Sequence, residues 1–134
     1  MSTLDTKKIL EIAQKFLTNL QAVYLFGSYA FGLEQNDSDV DLAFLGEQKY
    51  PSKTMYSLCT ELSLQLNKDF DCIDLKSTNN VFVVHIIDTG KIILNNDKYS
   101  VSNFEIRLFS QYARLNEERK DIVLDVIKRG SIYG

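Results

Sequence analysis

Ala22-Val-Tyr-Leu-Phe26-Gly27-Ser28-Tyr-Ala-Phe-Gly32-Leu-Glu-Gln-Asn-Asp-Ser38-Asp39-Val40-Asp41-Leu-Ala-Phe-Leu45 is the stretch on which the fold turns. Its first five residues are strand formers stopped by Gly27-Ser28, the pattern of a short buried strand. Gly32 to Ser38 is polar turn material, and Val40 to Leu45 reads as a second strand ended by Gly46. A Gly-Ser pair thus closes one strand and an Asp-x-Asp pair opens the next.

The pattern extends outward as alternating helices and strands. From Thr6 to Leu20 the apolar residues Ile9, Ile12, Ala13, Phe16, Leu17 and Leu20 follow the stripe of an amphipathic helix. Pro51-Ser52 opens a second helix, with Met55, Leu58, Cys59, Leu62 and Leu66 on one face. Phe70 to Leu75 reads as a third strand and Lys91 to Leu94 as a fourth. Asn79 to Asp88 fits either state: β-branched content favours strand, while length and flanking caps allow helix. Lys98 to Arg129 lacks Gly and Pro and predicts one or two helices. The expected class is α/β (α+β), a small mixed sheet flanked by helices, with a C-terminal helical segment.

Composition narrows the function classes. The chain has 134 residues, 45% hydrophobic and 25% charged, enough for one core without disulfide staples. A net charge of −3 argues against a non-specific nucleic-acid binder. Cys59 and Cys72 lack metal-ligand spacing, and His85 is the single histidine, so a Cys/His metal site is excluded. Apolar runs such as Val81–Val84 fall far short of the ~20 residues a bilayer requires. The N-terminal residues lack an apolar signal region, so a cytoplasmic, reducing location is expected.

Asp39 and Asp41, two apart at a strand mouth, direct both carboxylates to one face. Such neighbours repel unless a cation lies between them, and oxygen-only ligands suit Mg²⁺ with substrate phosphates completing its shell. Gly27-Ser28, at the end of the preceding strand, offers a permissive backbone, a hydroxyl and the N–H groups of a helix start, a phosphate-binding combination. A solvated turn and a helix cap account for either element alone; the two on adjacent strand ends point to a phosphate cradle beside a metal cradle.

Gly27-Ser28, ten residues, Asp39-x-Asp41 resembles the signature of the polymerase-beta-like nucleotidyltransferase superfamily. The strand Phe70–Leu75 after one helix, and Asp88-Thr-Gly90-Lys-Ile-Ile-Leu94, are similar to the minimal nucleotidyltransferase (MNT) group, over Thr6 to Leu94. The resemblance implies that Gly27 and Ser28 hold the terminal phosphates of ATP. It implies that Asp39, Asp41 and Asp71 bind two Mg²⁺ ions and carry catalysis, Asp71 being favoured over Asp74 because three residues along a strand reverse the facing side. It implies transfer of AMP to a hydroxyl, most often a tyrosine of a HEPN-domain ribonuclease toxin that this chain would neutralise as antitoxin. Neither direct nucleic-acid binding nor a membrane is implied. A binding-only antitoxin and a small-molecule nucleotidyltransferase of the aminoglycoside type are the alternatives. One position departs from the pattern: relatives often read Gly-Ser-x-Ala-Arg-Gly, and here Phe31 replaces the arginine.

On this reading residues 1–97 form the nucleotidyltransferase domain and residues 98–134 a helical extension, packed on the domain or used for partner contact. Its apolar residues Ile106, Leu108, Phe109, Tyr112, Leu115, Ile122, Val123, Val126 and Ile127 spread around more than one face. Helical spacing assigns Tyr99, Phe104, Phe109 and Tyr112 to packing; Cys59, on a helical apolar stripe, and Cys72, inside a strand, read as core.

Overall fold

The structure, a computed structural model, describes residues 4–34 and 38–130, the side chains of 118–130 excepted. In chain order the elements are α1 (Thr6–Phe16), β1 (Leu20–Phe26), α2 (Ser28–Phe31), β2 (Val40–Gly46), α3 (Ser52–Leu66), β3 (Phe70–Asp74), α4 (Asn80–Thr89), β4 (Lys91–Asn95) and α5 (Lys98–Gly130). Four strands form one mixed sheet in the order β3-β2-β1-β4. β1 is antiparallel to both neighbours, while β2 and β3, joined through α3, run parallel.

The two central strands are apolar almost throughout because both faces of the sheet are covered. Val23 and Leu25 of β1 and Val40, Leu42 and Phe44 of β2 point to one side, where Ile9 and Ile12 of α1 and Leu58 and Leu62 of α3 close a core. Ala22, Tyr24 and Phe26, with Ala43 and Leu45, point to the other, against Val83, Val84 and Ile86 of α4 and Val101 and Leu108 of α5. The second core contains one polar tie. Tyr24 Oη donates to Glu105 Oε1 at 3.0 Å, pinning α5 to the middle of the sheet. Burial, then the Glu105 charge, pushes the Tyr24 phenol well above its usual range.

Segments left open in the sequence take definite form. The Asn79–Asp88 segment is helical, with Asn79 as the cap of α4: Asn79 Oδ1 accepts from Val81 N at 2.8 Å, and the β-branched residues are held helical by packing on the sheet. Lys98 to Arg129 belongs to a single helix. The third strand stops at Asp74, and Leu75 enters a short 3₁₀ turn, Leu75–Ser77. The first helix ends at Phe16, and Leu20 already belongs to β1.

Among the aromatics of α5, Phe104 and Tyr112 pack on the second core, whereas Tyr99 is 79% exposed. Cys59 and Cys72 are half-buried rather than fully in the core, and both are free. They adjoin each other across the α3–β3 contact: Cys59 Sγ donates to Phe70 O at 2.8 Å, and burial followed by Cys59 pushes the Cys72 thiol up. The side chains of Ile122, Val123, Val126 and Ile127, and positions 35–37 of the Gly32–Ser38 turn, lie outside what the structure describes.

Candidate active site

At the end of β1 the chain turns through Gly27, at φ 72° and ψ −149°, a conformation open essentially to glycine alone. A side chain here would also overlap the Asp41 carboxylate, its Cβ meeting Asp41 Oδ2 and lying 3.1 Å from Cγ. Gly27 therefore serves twice, making the turn and admitting Asp41 against the backbone. Ser28 opens the single-turn α2, in which Ala30 N donates to Gly27 O at 3.1 Å and Leu33 N to Ser28 O at 2.9 Å. Phe31 is 56% exposed on that turn, so its side chain does no core work.

Asp39 lies just ahead of β2 and is exposed, while Asp41 is on the strand and half-buried. Asp41 is the register partner of Phe26 on β1 and of Asp71 on β3. Residues directly opposite in a ladder share a face, so Asp41 and Asp71 stand side by side next to the Gly27 turn. The electrostatics agree. Burial, then the charge of Asp71, then that of Asp39, raises the Asp41 carboxyl above the ordinary carboxylate value.

Asp74, the rival of Asp71, is buried and committed elsewhere. Its carboxylate accepts from Tyr50 N at 2.8 Å, Ser77 Oγ at 2.9 Å and Lys76 N at 3.1 Å, capping the 3₁₀ turn and tying it to the β2–α3 loop. Asp71 is exposed. His85 is exposed on α4, and its carbonyl accepts from Thr89 Oγ1 at 2.7 Å.

Among the described residues no three His, Cys, Asp or Glu side chains converge into a finished metal cage. The donor set nevertheless fits a hard divalent cation. Asp41 carries uncompensated repulsion from two neighbouring carboxylates, which a cation would relieve. Mg²⁺ is ordinarily held by one or two carboxylates, with substrate phosphates and waters supplying the rest.

Sequence reasoning passed over Phe82, on the first turn of α4. Its ring lies 6.0 Å from that of Phe26 at an interplanar angle of 85°, and it is 43% exposed. Nothing in the local pattern separates an exposed Phe82 from the buried Val83 and Val84 beside it.

Comparison with known proteins finds matches along most of the chain. The profile of the family described as Polymerase beta, Nucleotidyltransferase matches residues 7–99. The protein adenylyltransferase MntA of Shewanella oneidensis is 30% identical over 127 residues, 95% of this chain and 91% of its own. A relative from Methanocaldococcus jannaschii is 35% identical over 98 residues, 69% of this chain and 98% of its own. Among solved structures, a chain of a toxin–antitoxin pair crystallised with AMP-PNP superposes with TM-score 0.81 at 30% identity, covering 92% of this chain and 99% of that one. A second, from a complex of tri-AMPylated Shewanella oneidensis HEPN toxin with MNT antitoxin, gives TM-score 0.73 at 28% identity over 91% of this chain and 95% of that one.

Proposed function

The chain belongs to the polymerase-beta nucleotidyltransferase family, and from that premise we propose that it is a Mg²⁺-dependent protein adenylyltransferase, the antitoxin of a HEPN-domain ribonuclease toxin. It transfers AMP from ATP to a tyrosine hydroxyl of that toxin. The observation that carries this reading is the side-by-side placement of Asp41 and Asp71 next to the Gly27–Ser28 turn, with Asp39 at the strand mouth.

The reaction is an in-line displacement at the α-phosphorus of ATP. The acceptor oxygen forms a bond to phosphorus, the bond to the bridging oxygen breaks, and pyrophosphate departs with the electron pair. Gly27 and Ser28 bind the β- and γ-phosphates through backbone N–H and hydroxyl. Asp39, Asp41 and Asp71 are the residues that would hold two Mg²⁺ ions, which when bound stabilise charge on the attacking and leaving oxygens. Asp71, exposed on β3, accepts the proton of the attacking hydroxyl. The α5 segment, beyond the 1–97 unit, supplies contact to the toxin through exposed Tyr99 and Ile106. AMP adds a bulky negative group to the toxin, which repels RNA phosphates as other charge-adding modifications do.

The relatives support the reading: MntA is named a protein adenylyltransferase, and an MNT antitoxin is found with a tri-AMPylated HEPN toxin. The test is co-expression with a cognate HEPN-domain toxin, followed by intact mass. Toxin made with the wild type is expected to gain AMP and to stay inactive after separation. Toxin made with Asp39→Asn/Asp41→Asn is expected to be unmodified and to cut RNA. Unmodified toxin fully neutralised by that variant would leave a binding antitoxin instead.

A further inference from the structure

The geometry points to Phe82 as the platform on which the heteroaromatic base of the bound nucleotide stacks, an inference that rests on the nucleotidyltransferase reading above. The position of its ring is the first ground. Phe26 is the residue immediately before Gly27 and the register partner of Asp41. Residues opposite in an antiparallel ladder have Cβ atoms about 5 Å apart, so Phe26 and Asp41 adjoin on one face. Phe82 sits on Phe26 with ring centroids 6.0 Å apart. Its ring is therefore within a nucleoside's length of the carboxylates and of the Gly27–Ser28 turn.

Exposure is the second ground. Phe26 is only 8% exposed, whereas Phe82, which leans on it, keeps 43% of its surface open. The contact between the two rings is edge-to-face at 85° rather than stacked, and Phe82 stays exposed beyond it. Its setting is held firmly: Asn79 Oδ1 caps Val81 N, and the next residues, Val83 and Val84, are buried in the second core. A pinned ring loses little freedom when a base covers it. Phosphates at Gly27–Ser28 and an α-phosphorus beside Asp41 leave the nucleoside free to lie across Phe26 toward α4, where Phe82 is an exposed aromatic. Stacking recognises the π-face that all bases share, so Phe82 supplies affinity for a base rather than a choice among bases.

The experiment measures, by calorimetric titration with Mg²⁺, the affinities of ATP and of inorganic tripolyphosphate, which has phosphates and no base. Phe82→Ala is expected to weaken ATP by roughly tenfold to a hundredfold, the range found when stacking aromatics are truncated, and to leave tripolyphosphate unchanged. Phe82→Trp is expected to bind ATP at least as tightly as the wild type. Phe82→Leu keeps apolar bulk on Phe26, guards against simple misfolding, and is expected to melt like the wild type while binding ATP as poorly as Phe82→Ala. ATP affinity within about twofold of wild type in both Phe82→Ala and Phe82→Leu would overturn the assignment, as would equal weakening of ATP and tripolyphosphate. A wild-type chain that binds neither ligand would sink the nucleotidyltransferase reading itself, and this inference with it.

Discussion

Asp41 and Asp71 are register partners in the parallel β2–β3 ladder, and the charge of Asp71 contributes to raising the Asp41 carboxyl. Asp74, three residues further along β3, faces the other way and is consumed by hydrogen bonds from Tyr50, Lys76 and Ser77. One strand thus carries a carboxylate of each kind.

The two should fail differently. Asp71→Asn is expected to lower AMP transfer by at least ~10²-fold, the low end for a positioned acid–base group, with a melting temperature no lower than that of the wild type. Asp74→Ala leaves buried donors without an acceptor and should cost about 1–3 kcal/mol of stability. Turnover per folded molecule should be largely retained. Transfer assays paired with urea melts decide it; a catalytic loss confined to Asp74→Ala would invert the assignment.

Asp41→Asn should make the protein without ligands more stable. The raised carboxyl means the folded state disfavours the charge at neutral pH, chiefly through burial and then through Asp71 and Asp39. Removing it should raise the melting temperature by on the order of 1–3 °C. ATP with Mg²⁺ should further stabilise the wild type and not the variant, since only binding to the native state shifts the equilibrium. Thermal scans with and without ligand test both halves.

Gly27 and Gly32 both have positive φ, 72° and 69°, but among the described residues only Gly27 has a neighbour in the way of a side chain. Gly32→Ala should cost about 1–2 kcal/mol of backbone strain and leave transfer nearly intact. Gly27→Ala should add a displaced Asp41 carboxylate to comparable strain. Its transfer rate is expected to fall at least ~10-fold, since misplaced catalytic groups are costly.

Alkaline pH should unfold the chain sooner than phenol-free packing would allow. Burial, with the Asp74 charge adding, pushes the Tyr50 phenol from 10.0 up to about 12. A raised folded value means the neutral phenol is favoured in the native state. This stability is therefore whole below pH 10 and drains away as pH rises toward 12. Tyr50→Phe should lose about 1 kcal/mol at neutral pH, for the bond to Thr18 O, yet decline less steeply across that window. Urea midpoints from pH 7 to 12 provide the comparison.

The parts of the fold written in local pattern were legible. β1 and β2 announce themselves as apolar runs with punctuation, and Gly27-Ser28 with Asp39-x-Asp41 marks their meeting ends. The segment from Asn79 to Asp88 was not decidable locally, because its β-branched residues become helical only through burial of Val83, Val84 and Ile86 against the sheet. The committed role of Asp74 depends on Tyr50, separated by 24 positions, and the Cys59–Cys72 contact on how α3 docks against β3. Whether a side chain is covered is likewise a tertiary property. That is why nothing singles out Phe82 until α4 is placed against Phe26.

The fit of Gly27 against Asp41 has a bearing on descent. No side chain can be added at position 27 without displacing the carboxylate at position 41, so the two sites cannot drift separately while the carboxylate is needed in place. A lineage that lost the carboxylate would lift the steric half of this restriction, but the φ of 72° would still select for glycine. Glycine at this turn should therefore outlast activity. A descendant keeping Gly27 but lacking Asp41 is then best understood as a retired enzyme, its turn geometry surviving as a relic of the chemistry it once served.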